Sequence, residues 1–180
     1  MRSSSLTGII LKRSDVGEAD RIITLFTRER GKVAAIAKGC RKLTSSRAAA
    51  LEPGSFSKVF FVETKSLPIL TQAQLLNDFS HAKKDLTSMR KVFEVLEIID
   101  SLLIEEDAQD RVFSHTLAIF EHMNAREETK SSFVRAHLTA VVEILGFANR
   151  EDMEGSKPFR DYVEELTSRK MRAYSFLTQG

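Results

Sequence analysis

The spacing of apolar residues changes once along this chain, near residue 80, and this change constrains the fold more than any other feature of the sequence. Before that point, short aliphatic and β-branched runs follow a period of two, which is typical of strands. After it, apolar residues recur at intervals of three and four, which is typical of amphipathic helices. We therefore expect an α+β protein of two domains, with strands in residues 1–79 and helices in residues 80–180.

Five short strands are predicted in the first part, at residues 6–12, 21–27, 32–38, 55–62 and 68–75. The second and third are joined by a short turn ending at Gly31, where a positive φ angle is expected. The third and fourth are joined by a longer, polar and basic connection. Five strands in about 75 residues, with one long connection, favour a small closed barrel over an open sheet.

Helices are predicted in the second part from apolar stripes through residues 86–103, 112–123, 133–145 and 159–166. Gly146 is expected to end the third helix, because glycine readily takes the left-handed conformation that follows a helix. The acidic residues 105–107 are expected in a loop, because carboxylates are unfavourable at a helix C-terminus. The second part is thus predicted to be a helical bundle.

The net charge of +2 conceals an uneven distribution. Residues 1–80 carry 13 Lys and Arg against 7 Asp and Glu, a balance of +6. Residues 81–180 carry 14 against 18, a balance of −4. This separation indicates that the strand-rich part meets a polyanion and that the helical part has another role.

Seven cations fall within 20 residues of the strand-rich part, opposed only by Glu29. They are Arg28, Arg30, Lys32, Lys38, Arg41, Lys42 and Arg47. A barrel face with a basic loop suits single-stranded nucleic acid, because cations follow the phosphates while bases stack on exposed rings. The alternative is a basic face that is merely solvated. Because most of the few aromatic rings here are expected in the core, phosphate contacts should dominate, with little sequence preference and strong salt dependence.

Catalytic and metal-binding patterns are sparse. The sequence has neither a glycine-rich phosphate loop nor a Gly-x-Ser-x-Gly elbow, and no group of residues supplies a nucleophile, a base and a stabiliser together. The single cysteine, Cys40, excludes an internal disulfide and a zinc site of several cysteines. His115 and His122 lie seven residues apart on one predicted helix, without a carboxylate at a useful spacing. We expect no enzymatic activity, no cofactor and no metal.

The longest apolar run is far shorter than the roughly 18 residues of a membrane-spanning helix. The first residues also lack the apolar core of a secretion signal. A cytoplasmic protein without membrane contact is therefore expected.

A second candidate surface lies on the predicted helices. Arg111, Arg126, Lys130 and Arg135 lie near apolar stripes, and an apolar groove with a basic rim can hold an acidic peptide. An ordinary bundle core with charged outer faces is the alternative for these residues.

Several ordered motifs resemble the bacterial recombination mediator family RecO. They are Gly8-Ile9-Ile10-Leu11-Lys12, the run from Gly17 to Thr27, Gly31-Lys32, Ile36-Ala37-Lys38-Gly39-Cys40-Arg41-Lys42, Leu51-Glu52-Pro53 and Leu70-Thr71-Gln72-Ala73-Gln74-Leu75. Cys40 stands where the family usually carries alanine. Leu145-Gly146-Phe147 resembles a further landmark, in the helical domain.

The resemblance implies an N-terminal OB-fold that binds single- and double-stranded DNA, and a helical C-terminal domain. Family members anneal complementary strands and, with the partner RecR, help to load RecA onto strands coated by the single-stranded DNA-binding protein. That protein docks its acidic C-terminal tail on the helical domain. The resemblance implies no nucleotide cofactor, and a cytoplasmic, nucleoid-associated location.

DNA contacts carry over from the family to Lys38, Arg41 and Lys42, with Arg47 and Lys32 as neighbouring candidates. The sequence departs from many members because no cysteine follows Phe147, whereas they carry a four-cysteine zinc module there. A short form without that module is therefore expected. Two other functions stay open, a protein-interaction adaptor with weak DNA binding and an OB-fold reader of RNA.

Overall fold

The computed structural model describes residues 3–40, 48–125, 129–147, 159–168 and 170–171. The chain divides into two units, each with its own internal packing. The first, the barrel unit, comprises Met1–Asp78 together with Ile104–Gln109. The second, the helical unit, comprises Phe79–Leu103 and Asp110–Gly180. The chain therefore leaves the barrel unit after residue 78 and returns to it once, between two helices.

Five strands form the barrel: β1 (Ser3–Val16), β2 (Asp20–Thr27), β3 (Gly31–Ala37), β4 (Phe56–Val62) and β5 (Ile69–Asn77). They close in the order β1-β2-β3-β5-β4, with β4 pairing back to β1. The pairs are antiparallel except for β3 and β5, which run parallel. A closed five-stranded barrel of this topology is an OB-fold, so the predicted fold class is confirmed.

The alternation predicted for β3 is confirmed by its burial. Val33, Ala35 and Ala37 all face the barrel core, where they join Leu25 of β2 and Phe61 of β4. Two alanines occupy little volume, and small inward residues beside large ones allow a narrow barrel to close without overpacking.

β1 is longer than the sequence indicated. A register shift between Ile10 and Lys12 marks a bulge, after which residues 12–16 continue to pair with β2. All five of these residues are exposed. The polar run that predicted the end of the strand is instead one arm of a solvated hairpin, where no side chain has to enter a core.

Four helices lie in the described part of the helical unit: α1 (Leu86–Leu102), α2 (Asp110–Ala125), α3 (Ser131–Ile144) and α4 (Phe159–Thr167). Asp85 caps α1 by accepting a hydrogen bond from the Ser88 amide at 2.8 Å, and this bond lowers the pKa of Asp85. Gly146, with φ of 73°, follows α3 as predicted. Within the described ranges, no helix is long and apolar enough to cross a membrane.

Three histidine side chains gather where α2 and α3 pack together. His115 and His137 place their Nδ1 atoms 2.9 Å apart. His122 stacks on Phe133 with 3.9 Å between ring centroids, and His137 lies 4.4 Å from the same ring. Burial lowers the pKa of His137, and positive charge on His115 and His122 lowers it further. In the part of the chain that the structure describes, no group of three or more side chains is arranged to hold a metal ion.

We expect the helical unit to lose stability as the pH falls below about 6.5, the ordinary pKa of histidine. Because the folded state lowers the pKa of His137, the unfolded chain binds a proton there first, and stability falls with falling pH. Urea unfolding followed by far-UV circular dichroism at several pH values measures this. His137→Gln should flatten the dependence, whereas His81→Gln, at an exposed position outside the cluster, should not. Equal pH dependence of stability in all three proteins would show that His137 is not its source.

Candidate nucleic-acid interface

The turn between β2 and β3 is built around Thr27 and Gly31. The Thr27 hydroxyl donates to the Gly31 carbonyl at 2.9 Å and accepts from the Arg30 amide at 3.0 Å. Gly31 has φ of 69°, the left-handed region that favours glycine. The positive φ expected at Gly31 is thus confirmed, and the turn presents Arg28 and Arg30 at the end of the hairpin.

The acidic segment 104–109 lies against this turn. The Glu106 amide donates to the Lys32 carbonyl at 2.9 Å, and Glu105 forms a parallel bridge with Lys32. Glu106 has φ of 58°, a conformation that costs a residue with a side chain about 1–2 kcal/mol. The contacts of the segment must offset that cost, so it is closely fitted to the barrel unit.

Arg30 is held by two carboxylates. Its Nη1 donates to Glu63 at 2.7 Å, and its Nη2 donates to Glu106 of the acidic segment. Burial alone would lower the pKa of Arg30, but the hydrogen bonds to Glu106 and Glu63 outweigh burial and raise it. Arg30 is therefore charged and already engaged by anions that belong to the protein.

Two other arginines of the barrel unit also form ion pairs, each with one carboxylate. Arg21 donates to Asp15 at 2.8 Å, and this bond raises the pKa of Arg21 against the effect of burial. Arg13 donates to Glu52. Such exposed pairs contribute only about 0–1 kcal/mol each, so a phosphate could replace the carboxylate at little cost.

The predicted DNA-contact residues differ in their exposure and in whether the structure describes them. Lys38 is exposed and directly follows β3. Lys32, which shares the hairpin with Arg30, is only 6% exposed beneath the acidic segment. Arg41, Lys42 and Arg47 lie outside the described residues. The candidate interface in the described part is therefore the end of β3 at Lys38, whereas Lys32 is buried.

Cys40 also lies at this end of the barrel. Its side chain is buried and belongs to the same core cluster as Ala37 and Leu51. The loop that follows β3 is anchored by the Gly39 amide, which donates to Asp20 at 2.8 Å. Cys40 thus acts as a small apolar residue that anchors the chain after β3 in the barrel core.

The aromatic rings of the barrel unit divide into two groups. Phe26 and Phe61 are buried. Phe56 and Phe60 are half-buried on the outer face of β4, where they alternate with the inward residues of that strand. With Phe79, which is also buried, three of the five rings in residues 1–79 lie in a core, as predicted. The prediction did not specify which rings lie outside, although the alternation from Ser57 to Phe61 indicates the outward position of Phe60.

The predicted peptide-binding residues of the helical unit are spread over two helices. Arg111 is exposed in the first turn of α2, and Arg135 is half-buried in α3. Lys130 is exposed immediately before α3, and Arg126 lies outside the described residues. The peptide-binding role of these residues stays a prediction.

Comparisons with known proteins match the barrel part of the chain and extend beyond it. The family model described as Recombination protein O N terminal matches residues 1–79. A DNA repair protein RecO from Salinibacter ruber is 30% identical over 146 residues, which cover 80% of this chain and 56% of that protein. The DNA repair protein RecO of Heliobacterium modesticaldum is 36% identical over 110 residues, 61% of this chain and 40% of that protein. The chain thus spans about half the length of the curated relatives it matches.

We expect Gly31→Ala to destabilise the barrel unit and loosen the acidic segment. A Cβ at position 31 would overlap the Asp107 carbonyl, in addition to the cost of a positive φ. Gly17→Ala is the matched control, because Gly17 has φ of 57° and open space around it. Gly17→Ala should cost about 1–2 kcal/mol, and Gly31→Ala about 1–3 kcal/mol more.

Urea unfolding measures both losses, and amide hydrogen exchange at Glu106 reports on the segment itself. Exchange should accelerate in Gly31→Ala and stay unchanged in Gly17→Ala. Equal losses of stability and equal exchange in the two variants would show that the segment is not fitted against Gly31.

Proposed function

Because the chain belongs to the RecO family, we propose that it is a non-enzymatic, DNA-binding mediator of repair and recombination whose barrel unit binds single-stranded DNA. The proposal rests on the closed OB-fold barrel and on exposed Lys38 at the end of β3. In the sequence, Lys38 lies three residues before the basic run 41–47. OB-folds bind single strands along such an edge and its adjoining loops.

In this mechanism the barrel neutralises phosphates and leaves the bases available. Lys38, Arg41 and Lys42 make the main contacts, with Arg47 beside them, and Lys32 joins when the acidic segment releases it. Cations that neutralise two strands at once lower the repulsion that opposes pairing. Base pairing between the strands then supplies the sequence specificity of annealing.

The family also suggests partners for this activity. We propose that the protein acts with RecR and with the acidic C-terminal tail of the single-stranded DNA-binding protein, and that it assists RecA loading at coated gaps. Its place of action is then the cytoplasm, on the nucleoid. The proposal of these partners is based on the relationship to the family. A binding measurement with each purified partner tests it, and absence of binding would contradict it for that partner.

An adaptor function is the second candidate, and one observation favours it. Leu86, Met89 and Phe93 lie on one side of α1 by their spacing and are 65%, 37% and 41% exposed. Such a stripe, with exposed Arg90 beside it, suits a peptide that combines apolar and acidic groups. Titration of the chain with an acidic peptide ending in Asp-Phe, and separately with labelled single-stranded DNA, decides which ligand dominates.

We expect single-stranded DNA binding to weaken steeply with salt. If about four to six phosphates are neutralised, log K should fall against log salt with a slope of roughly −3 to −4. Replacing Lys38, Arg41 and Lys42 together by alanine should weaken binding on every sequence and reduce the steepness by roughly 2, because three contacts are lost. Fluorescence anisotropy of labelled oligonucleotides at several salt concentrations measures both effects.

The matched control replaces three exposed cations elsewhere, Lys65, Lys84 and Arg90, by alanine. It removes the same charge and should leave the slope nearly unchanged. Equal losses in the two triple variants would show that net charge alone attracts the DNA, and a slope near zero in the unaltered protein would overturn the proposal. Competition with an RNA of the same sequence separates DNA binding from RNA reading.

A further inference from the structure

The outer face of β4 carries an aromatic ring at the centre of a three-stranded surface. Phe60 pairs with Ser5 of β1 on one side and with Gln72 of β5 on the other. Its neighbours along the strand, Val59 and Phe61, are buried in the core. Because side chains alternate along a strand, the Phe60 ring lies on the outside, with uncharged polar residues on both flanks.

A cation lies over this ring, at the end of a long and flexible side chain. Lys58, two residues earlier on the same face, places its Nζ 5.5 Å from the centroid of Phe60. Lys58 is itself flanked by Thr7 and Gln74 on the adjacent strands. The surface therefore combines one flat ring, one positive charge and several amide or hydroxyl groups.

A groove of about 390 Å³ opens next to the ring. It is lined by residues 3–5 of β1, by Phe60 and Phe61 of β4, and by Thr71 and Gln72 of β5. The Thr71 hydroxyl donates to the Phe60 carbonyl at 3.1 Å, and the Ser4 hydroxyl donates to Glu63 at 3.4 Å. Ser3, Ser5 and Gln72 are exposed and can both donate and accept hydrogen bonds.

This set of groups matches a nucleotide. A base can stack on the ring, its edge can exchange hydrogen bonds with amide and hydroxyl groups, and its phosphate can meet the ammonium. Glu63, the nearby carboxylate, is engaged by Arg30 at 2.7 Å, which reduces its repulsion of a phosphate.

The groove adjoins the proposed phosphate contacts. Leu70 of β5 pairs with Ala37 of β3 on one side and with Phe61 of β4 on the other. Only β5 therefore separates the end of β3, where Lys38 follows, from the strand that carries Phe60. A single strand held at Lys38 can reach the groove by crossing β5.

We propose that Phe60, Lys58 and Gln72, with the serines of β1, form a base-stacking subsite for one nucleotide of a single strand. The inference rests on the proposed function and extends it, because the phosphate contacts at Lys38 require no ring. It also predicts that part of the affinity is independent of salt, since stacking on a ring releases no counterions.

A tryptophan reporter tests the subsite directly, because the chain contains no tryptophan. Phe60→Trp places one indole in the groove, and Phe56→Trp places one on the same face of the same strand, outside the residues that line the groove. Titration with oligothymidylate should quench the Phe60→Trp fluorescence saturably and leave Phe56→Trp nearly unchanged. Anisotropy of the labelled oligonucleotide, recorded in parallel, reports total binding.

Leucine variants provide the second measurement. Phe60→Leu should weaken binding about tenfold at every salt concentration, with the slope against log salt unchanged. Phe56→Leu should stay within about twofold of the unaltered protein, because its side chain lies outside the groove. Circular dichroism of each variant confirms that the barrel is folded.

The outcomes separate the two proposals. Binding by anisotropy without quenching at position 60, or with equal quenching at positions 56 and 60, would overturn the subsite and leave the proposed function standing. Unchanged affinity in a folded Phe60→Leu would also overturn the subsite. Absence of binding by anisotropy in the unaltered chain would overturn the proposed function, and the subsite with it.

Discussion

Closure of the barrel depends on a short parallel pairing between β3 and β5. Ile36 pairs with Ile69 and Ala37 with Leu70, and the Ile36 amide donates to the Pro68 carbonyl at 2.9 Å. This contact joins the two end strands of the sheet and so closes it into a barrel. It also brings the end of β3 next to β5, so that Lys38 and the groove beside Phe60 lie on neighbouring parts of one surface. The proposed phosphate contacts and the proposed stacking site are both consequences of this arrangement.

The electrostatics of the barrel unit are set largely by its own carboxylates. Carboxylates partly neutralise the cations of this unit. Asp15 pairs with Arg21, and Glu63 and Glu106 both pair with Arg30. A phosphate backbone therefore competes with internal anions at the hairpin. At the end of β3, the candidate contact is Lys38, whose side chain is exposed.

Much of the fold could be predicted from the period of the apolar residues, since the alternation in β3 and the stripes of α1 to α4 are local signals. Three features escaped this reasoning. The bulge after Ile10 lets β1 continue through a polar run, and polarity alone does not mark the end of a solvated hairpin arm. The return of residues 104–109 to the barrel is a long-range contact with no local pattern, so the burial of Lys32 could not be foreseen from its place in the basic segment. The outward position of Phe60 follows from the alternation in β4, but it was not predicted, because only the majority of the rings was assigned to the core.

The central claim is that the barrel unit, and not the helical unit, binds single-stranded DNA. An NMR titration of the isotope-labelled chain with an oligothymidylate tests it most directly, because every assigned backbone amide reports separately. We expect concerted, saturable shifts at residues 36–40 and in β4 and β5 around Phe60, with little change in α1 to α3. Shifts confined to the helices, with the barrel amides unmoved at saturation, would contradict it.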